Sequence, residues 1–232
     1  MKKGKSRSDQ QRKSVFLVDD HPIYRNGLGQ LIQSDLPHVD ICGQAGDAVE
    51  GLERILKTNC DLAIVDIGLP GRSGLELTRD IHTMRPKTNV LIVSAYNEMM
   101  YAERALRNHA LGYVMKQESP ERVLMALRSV LSGEAWFSEA VSAKLFDRMT
   151  GKAKATTNGG SVEQLTDREL EILKLIGEGR RNKEIAVLLN LSAKTVDVHR
   201  CHIREKLGLS SGPELVCYAA HWSTALTNGV SA

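Results

Sequence analysis

The sequence predicts two domains of different class: a doubly wound α/β domain on a five-stranded parallel sheet, followed by an all-α domain of four helices. Three observations carry that prediction. From residue 14 short apolar runs alternate with amphipathic stretches, the runs are continuous in Val, Ile and Leu, and beyond about residue 163 the strand-like runs stop. A strand covered by helices on both faces reads as uninterrupted apolar sequence, as LAIV and VLIV do here. A length of 232 residues also suits two units, each able to bury a core without disulfide or metal support.

In order, SVFLV precedes a helix running through Leu31, and VDICG precedes one over residues 47–57. DLAIV precedes a helix over 73–84, NVLIVS one over about 97–108, and YVM one over about 119–131. After residue 132 the periodicity weakens. Gly133 punctuates, a short amphipathic helix is expected over 139–149, and GKAKATTNGGS reads as a flexible linker. Four helices then fit about 167–177, 182–189, 193–207 and 211–224, with Thr166 or Asp167 as N-cap and Glu169 in the first turn. The predicted boundaries are a disordered basic tail over 1–13, the α/β domain over 14–132, a linker with its short helix over 133–163, and the helical domain over 164–227.

Composition bounds the function. With 42% hydrophobic and 25% charged residues, and no apolar run near the roughly 18 residues a bilayer demands, a soluble protein with no membrane role is expected. The tail MKKGKSRSDQQRK lacks an apolar segment and is not a signal peptide. It holds six basic residues against one acid, so the net charge of +3 becomes −2 from residue 14 onward, and overall charge carries no argument for nucleic acid. Within 174–206, however, eight basic residues face four acidic ones. Cys42, Cys60, Cys201 and Cys217 are scattered without metal-ligand spacing, which fits a reduced, cytoplasmic setting.

In a doubly wound sheet the ligand site lies at the carboxyl ends of the strands. Those ends carry Asp19 and Asp20, Asp66, Ser94, and Lys116. Converging carboxylates repel one another, and a divalent cation relieves the repulsion; Mg²⁺, with its preference for hard oxygen ligands and retained waters, is the natural inference. Asp66 is then a candidate nucleophile toward a phosphoryl group, Lys116 an ammonium that offsets the developing charge, and Ser94 a hydroxyl donor to the product. Movement of Ser94 would let the Tyr113 ring swing inward, making the modification a switch. Singly each residue has a plainer reading, as helix cap, loop hydrogen bond or solvated charge. Four strand ends supplying compatible groups together do not. His21 could approach the site or simply begin the first helix before Pro22.

FLVDDHPIYRNGL, AIVDIGLPGRSGLEL, LIVSAYNE and GYVMKQ resemble, in order across about residues 14–131, the motifs of a response-regulator receiver. The resemblance implies a flavodoxin-like fold and Asp66 as phosphoacceptor. It further implies Mg²⁺ held by Asp19, Asp20, Asp66 and the Gly68 carbonyl, and a switch group of Ser94, Tyr113 and Lys116. Gly68 and Tyr96, each two residues beyond a site residue, occupy positions that influence phosphoryl lifetime in such receivers.

In the second half, Ile185, Leu188 and Leu189 fall on one face of a short helix, and Val196, His199, Ile203 and Leu207 on one face of the next. The helices flank a turn at Asn190–Ser192, and the second carries Lys194, Arg200, Arg204 and Lys206, a geometry suited to the major groove or, on pattern alone, to a small interaction module. LTDRELEIL, NKEIAVLL and SAKTVDVHRCHIREKLGL are similar, across about 164–225, to the LuxR-type helix-turn-helix, and with a receiver in front the whole resembles the NarL/FixJ family. The resemblance implies phosphate contacts from Lys183, Lys194 and Thr195 and a groove-facing surface of Val198, Arg200 and Cys201. Arg204 adds to the DNA-binding set, and His199 is divided between core and DNA backbone. Asp197 and Cys201 depart from frequently basic positions, so base preference does not carry over.

The resemblance implies a transcription regulator rather than an enzyme. A sensor histidine kinase would phosphorylate Asp66, and homodimerisation would bring two modules onto double-stranded promoter DNA, with RNA polymerase as a further partner. A phosphorylation-independent regulator of the same fold is the alternative. Two others, a ligand-sensing regulator and a phosphoester hydrolase, predict an apolar sensory cavity and turnover of external substrate respectively.

Overall fold

The computed structural model describes residues 12–150 and 162–228. Most of the predicted tail and the GKAKATTNGGS linker fall outside the described residues. The chain divides into two compact units, Met1–Ser142 and Ala143–Ala232.

The first unit alternates β1 (Lys13–Val18), α1 (Pro22–Asp35), β2 (Val39–Ala45), α2 (Ala48–Lys57), β3 (Leu62–Val65), α3 (Gly74–Met84), β4 (Asn89–Ser94), α4 (Glu98–Arg107), β5 (Gly112–Met115) and α5 (Pro120–Leu131). All strand pairings are parallel in the order β2-β1-β3-β4-β5, the predicted doubly wound sheet. Asp47, Ser73, Asn97 and Ser119 start α2 to α5 by accepting hydrogen bonds from first-turn amides. Pro22 and Pro120 occupy first-turn positions whose amides need no partner.

Side chains alternate across the sheet. Val15, Leu17, Leu62, Ile64, Leu91, Val93 and Val114 bury one face against α1 and α5. Phe16 and Val18 take the other face, where Gly51 of α2 lies against Val18 and Leu77 of α3. The β1–β2 register slips once: Val15 pairs with Ile41 but Phe16 with Gly43, leaving Cys42 as an extra, bulged residue. A side chain at position 43 would meet the Phe16 ring at 2.3 Å, so the bulge needs glycine there.

Two boundaries differ from expectation. Lys13, assigned to the tail, begins β1, because its amide reaches the His38 carbonyl and its ammonium pairs with Asp61. Residues after 132 are not all linker: the Trp136 amide donates to Leu111, and the Trp136 carbonyl accepts from Tyr113, forming a short parallel bridge on β5. The helix predicted over 139–149 forms α6 (Glu139–Met149).

The second unit has a 3₁₀ turn (Val162–Gln164), then α7 (Asp167–Gly177), α8 (Asn182–Leu188), α9 (Ala193–Leu207) and α10 (Gly212–Asn228). Thr166 is the N-cap of α7, in a reciprocal box with Glu169. Asn190, at φ 50°, makes the tight turn between α8 and α9, and Gly208, at φ 68°, ends α9. Leu165, Leu170, Ile172, Leu173, Ile176, Ile185, Ala186, Leu189, Val196, Ile203, Leu207, Leu215 and Ala219 are its buried hydrophobic residues. Leu188 is the exception to the predicted apolar face. It is 52% exposed, because on so short a helix Ile185 and Leu189 already fill the inward positions. No helix among the described residues is long and apolar enough to cross a membrane.

Candidate functional site

Asp19 and Asp20 follow β1 directly, and Asp66 follows β3, so the three carboxylates collect where neighbouring strands of the sheet feed connections running to opposite faces. Asp66 is 3% and Asp19 7% exposed, while Asp20 points outward. One oxygen of each and a ring nitrogen of His21 lie within 4.8 Å of one another.

The flanking strands complete the pocket. Ser94, the last residue of β4, donates its hydroxyl to Asp66 Oδ1 at 2.7 Å. Lys116, just past β5, lies 2.7 Å from both Asp66 Oδ2 and Asp19 Oδ2. Burial works to lower the Lys116 ammonium, but Asp66 and Asp19 outweigh it and hold the group above its ordinary value. Partial burial raises the Asp20 carboxyl, and the Asp66 and Asp19 charges add to that rise against the pull of His21. One cation among three crowded carboxylates leaves excess negative charge on hard oxygen donors. That donor set fits a divalent cation such as Mg²⁺.

Gly68 donates its amide to Asp66 Oδ1 at 3.3 Å, and a side chain there would lie between the Tyr96 hydroxyl and Asp66. Tyr113 is already internal, its hydroxyl donating to the Tyr96 carbonyl at 2.9 Å. The inward swing imagined from the sequence is therefore not a motion starting from this state. Burial pushes the Tyr113 phenol well above its ordinary value, with Asp66 adding to the effect.

Three contributors escape a reading by strand ends. His21 both begins α1 and places Nδ1 2.6 Å from Asp20 and 3.2 Å from Asp19. Tyr24, in the first turn of α1, lies with its ring 4.8 Å from Lys116 Nζ. Gly74 opens α3 so close to the acceptor loop that a Cβ would come 1.8 Å from the Asp66 carbonyl oxygen. The Gly in GRSGLEL was the available signal.

In the second unit Lys183 of α8 and Lys194, Val198 and Cys201 of α9 are exposed, and Thr195, Arg200 and Arg204 are half-buried. Lys194, Val198 and Cys201 share one outward face by their spacing. Ser192 caps α9 by accepting from the Thr195 amide at 3.0 Å, and the two hydroxyls pair at 2.7 Å. Arg204 reaches Cys201 Sγ at 3.4 Å. His199 is half-buried, with Nδ1 buried and unpartnered, and its pKa is lowered by burial. Asp197 accepts a hydrogen bond from Asn182, tying α9 to α8.

Residues 15–128 match the response regulator receiver domain, and residues 163–219 match the bacterial regulatory proteins of the luxR family. The oxygen regulatory protein NreC of Staphylococcus aureus (strain MRSA252) is 36% identical over 210 residues, covering 88% of this chain and 95% of NreC. RcsB from Salmonella enterica serovar Typhimurium, solved on promoter rprA with phosphomimetic BeF3-, superposes at TM-score 0.60 with 25% identity, over 90% of this chain and 98% of RcsB. A LuxR family two-component response regulator from Aurantimonas sp. SI85-9A1 covers 60% of this chain and 99% of itself, with 29% identity and TM-score 0.55. A receiver followed by a LuxR-type helix-turn-helix on one chain defines a DNA-binding response regulator. The chain belongs to the NarL/FixJ family of two-component response regulators.

Proposed function

We propose that this protein switches its DNA binding through phosphorylation of Asp66, with a sensor histidine kinase as donor. The observation that carries the reading is the pairing of Asp66 through both oxygens, Oδ1 to the Ser94 hydroxyl and Oδ2 to the Lys116 ammonium, each at 2.7 Å. A buried carboxylate held this way is oriented as a nucleophile, with one donor and one cation already beside it.

An Asp66 oxygen attacks the phosphorus of the donor's phosphohistidine. The new P–O bond forms as the P–N bond breaks, and the imidazole leaves. Asp19, Asp20, Asp66 and the Gly68 carbonyl would hold Mg²⁺, which supplies charge neutralisation for the phosphoryl oxygens. Lys116 balances the charge added on the acceptor. The Ser94 hydroxyl, released from the carboxylate, donates to a phosphoryl oxygen. The Ser94 hydroxyl, at the end of β4, accepts from the Tyr96 amide, and the Tyr96 carbonyl accepts from Tyr113 of β5, so a shift of Ser94 is transmitted to Tyr96 and its partner.

On the DNA side Lys183, Lys194 and Thr195 contact phosphates; Val198, Arg200 and Cys201 face the bases, and Arg204 and His199 flank them. Homodimerisation sets two half-sites, since one module makes few contacts. RcsB on its promoter with a phosphomimetic supports this reading by likeness. Coupling on the order of 1–3 kcal/mol is expected between the sites.

One observation favours a second reading, a regulator indifferent to phosphorylation: Tyr113 is already internal. Mg²⁺-dependent incorporation of phosphate from a small phosphodonor into wild type and Asp66→Ala separates the two. Labelling lost in the variant, with tighter DNA binding or dimerisation of labelled wild type, supports the switch. Unlabelled wild type with unchanged DNA binding in Asp66→Ala supports the alternative.

A further inference from the structure

The Glu169 carboxylate completes the capping box at the start of α7 and is held firmly in place. Its Oε2 accepts from the Thr166 amide at 2.8 Å and from the Lys206 ammonium at 2.6 Å, and its side chain is 4% exposed. On α9, which packs against α7, His199 and His202 stand three residues apart, the spacing that puts two side chains on one side of a helix. His202 Nδ1 lies 3.9 Å from Glu169 Oε1. One ring nitrogen of each histidine and a carboxylate oxygen of Glu169 all fall within 4.8 Å of one another. His199 Nδ1 is buried without a hydrogen-bond partner.

We propose that Glu169, His199 and His202 form a binding site for a divalent transition cation, Zn²⁺ being the representative case, that ties the first turn of α7 to the middle of α9. Two imidazole nitrogens and one carboxylate oxygen are donors such an ion prefers, whereas the carboxylates around Asp66 suit a hard cation. The site lies in the second unit and is independent of the phosphorylation of Asp66.

Ligand atoms around a tetrahedral Zn²⁺ stand roughly 3.3 Å apart, so the three groups close on an ion by roughly 1.5 Å at most. His202, with its side chain 52% exposed, makes that movement without repacking the core. Three protein ligands leave a fourth position to water. The Thr166 amide and Lys206 orient the Glu169 carboxylate, as outer partners do at metal centres. Lys206 also opposes the ion, because its ammonium neutralises the same carboxylate and repels a cation. The ligands come from two helices that only folding brings together, so the ion stabilises the second unit by mass action.

The test uses the full chain carrying Trp136→Phe, Cys201→Ser and Cys217→Ser, with Mg²⁺ in excess. Trp222 then reports the second unit, and neither its thiols nor the acidic cluster compete for the probe. Zn²⁺ affinity is measured by competition with a chromophoric chelator, and thermal melts are followed by Trp222 fluorescence with Zn²⁺ and with chelator. The expected result is an upward Tm shift that grows with Zn²⁺ concentration. His202→Asn, at an exposed position, should keep the metal-free Tm of the parent and lose more than about tenfold in Zn²⁺ affinity, at least what an outer partner is worth to a metal site. Lys206→Met should lower the metal-free Tm yet tighten Zn²⁺ binding, which a purely structural Glu169 would not produce. The proposal is overturned if Zn²⁺ leaves the Trp222 melt of the parent unmoved, if His202→Asn keeps the parent's Zn²⁺ shift, or if Lys206→Met binds the ion no tighter than the parent.

Discussion

Lys116 Nζ sits 2.7 Å from Asp66 Oδ2, inside a pocket where its side chain is 10% and that of Asp66 4% exposed. The same ammonium touches Asp19 at equal distance. Removing it leaves two nearly buried carboxylates facing each other without a cation. Lys116→Met should cost about 3 kcal/mol in chelator. Mg²⁺ should stabilise the variant more than wild type, because the ion then meets an uncompensated cluster. Thermal melts of both proteins with chelator and with Mg²⁺ check this, and an equal Mg²⁺ shift in the two would defeat it.

Ser94→Ala removes the donor to Asp66 Oδ1 but leaves Lys116 and the carboxylates in place. Labelling of Asp66 should persist within about tenfold of wild type, a loss of about 1.4 kcal/mol or less in the chemical step. The phosphorylation-linked gain in DNA binding should shrink, since the hydroxyl is the group that follows the phosphoryl oxygen. Binding curves with and without phosphodonor read the two effects separately.

Gly74→Ala drives a Cβ to within 1.8 Å of the Asp66 carbonyl oxygen, and backbone cannot yield as a flexible side chain would. A loss of about 3 kcal/mol and weakened labelling are expected. Gly27→Ala on α1 meets nothing within 4 Å and should instead stabilise by roughly 0.5–1 kcal/mol, the helical preference of alanine over glycine. Denaturant midpoints of the pair test the contrast.

In the second unit Glu169 accepts from Lys206 at 2.6 Å and from the Thr166 amide at 2.8 Å. Burial works to raise the Glu169 carboxyl, but those hydrogen bonds win and hold it below its ordinary value. A carboxyl depressed in the folded state contributes stability above its unfolded pKa and loses that contribution as pH falls through the folded pKa. Lys206→Met should therefore raise the acid-unfolding midpoint of this unit, by about half a pH unit. Trp222 fluorescence, in a chain carrying Trp136→Phe, reports that unit alone.

Lys194→Ala should weaken binding to all DNA sequences alike and reduce the salt slope by about one. Arg200→Ala should change preference among sequences, by roughly 1–3 kcal/mol at the affected base pair. Titrations on two operators at three salt concentrations distinguish a phosphate contact from a base contact.

The sheet and its helices were legible because burial on both faces writes a continuous apolar run, and the helix starts carry their own caps, as at Asp47 and Thr166. The acidic cluster was legible because strand ends share one edge. What stayed hidden depends on register and on side-chain direction. Cys42 falls out of register because of a single bulge between Val15 and Phe16 pairings, which periodicity does not encode. Leu188 turns outward because two neighbouring residues already occupy the core. Trp136 pairs with β5 through its backbone, and one aromatic side chain packed on the core writes no periodic pattern to announce it.

Asp197 is an acid on a helix expected to meet a polyanion, and its carboxylate is engaged by Asn182 of α8. Selectivity and rigidity thus share one position. A library that sought new operators by placing a basic residue at 197 would gain attraction to DNA while untying the two helices whose mutual angle the proposed groove contact depends on. Variation at Val198 and Cys201, which face outward and bear no such tie to α8, offers the more independent route by which a lineage could change its targets without first loosening its reader.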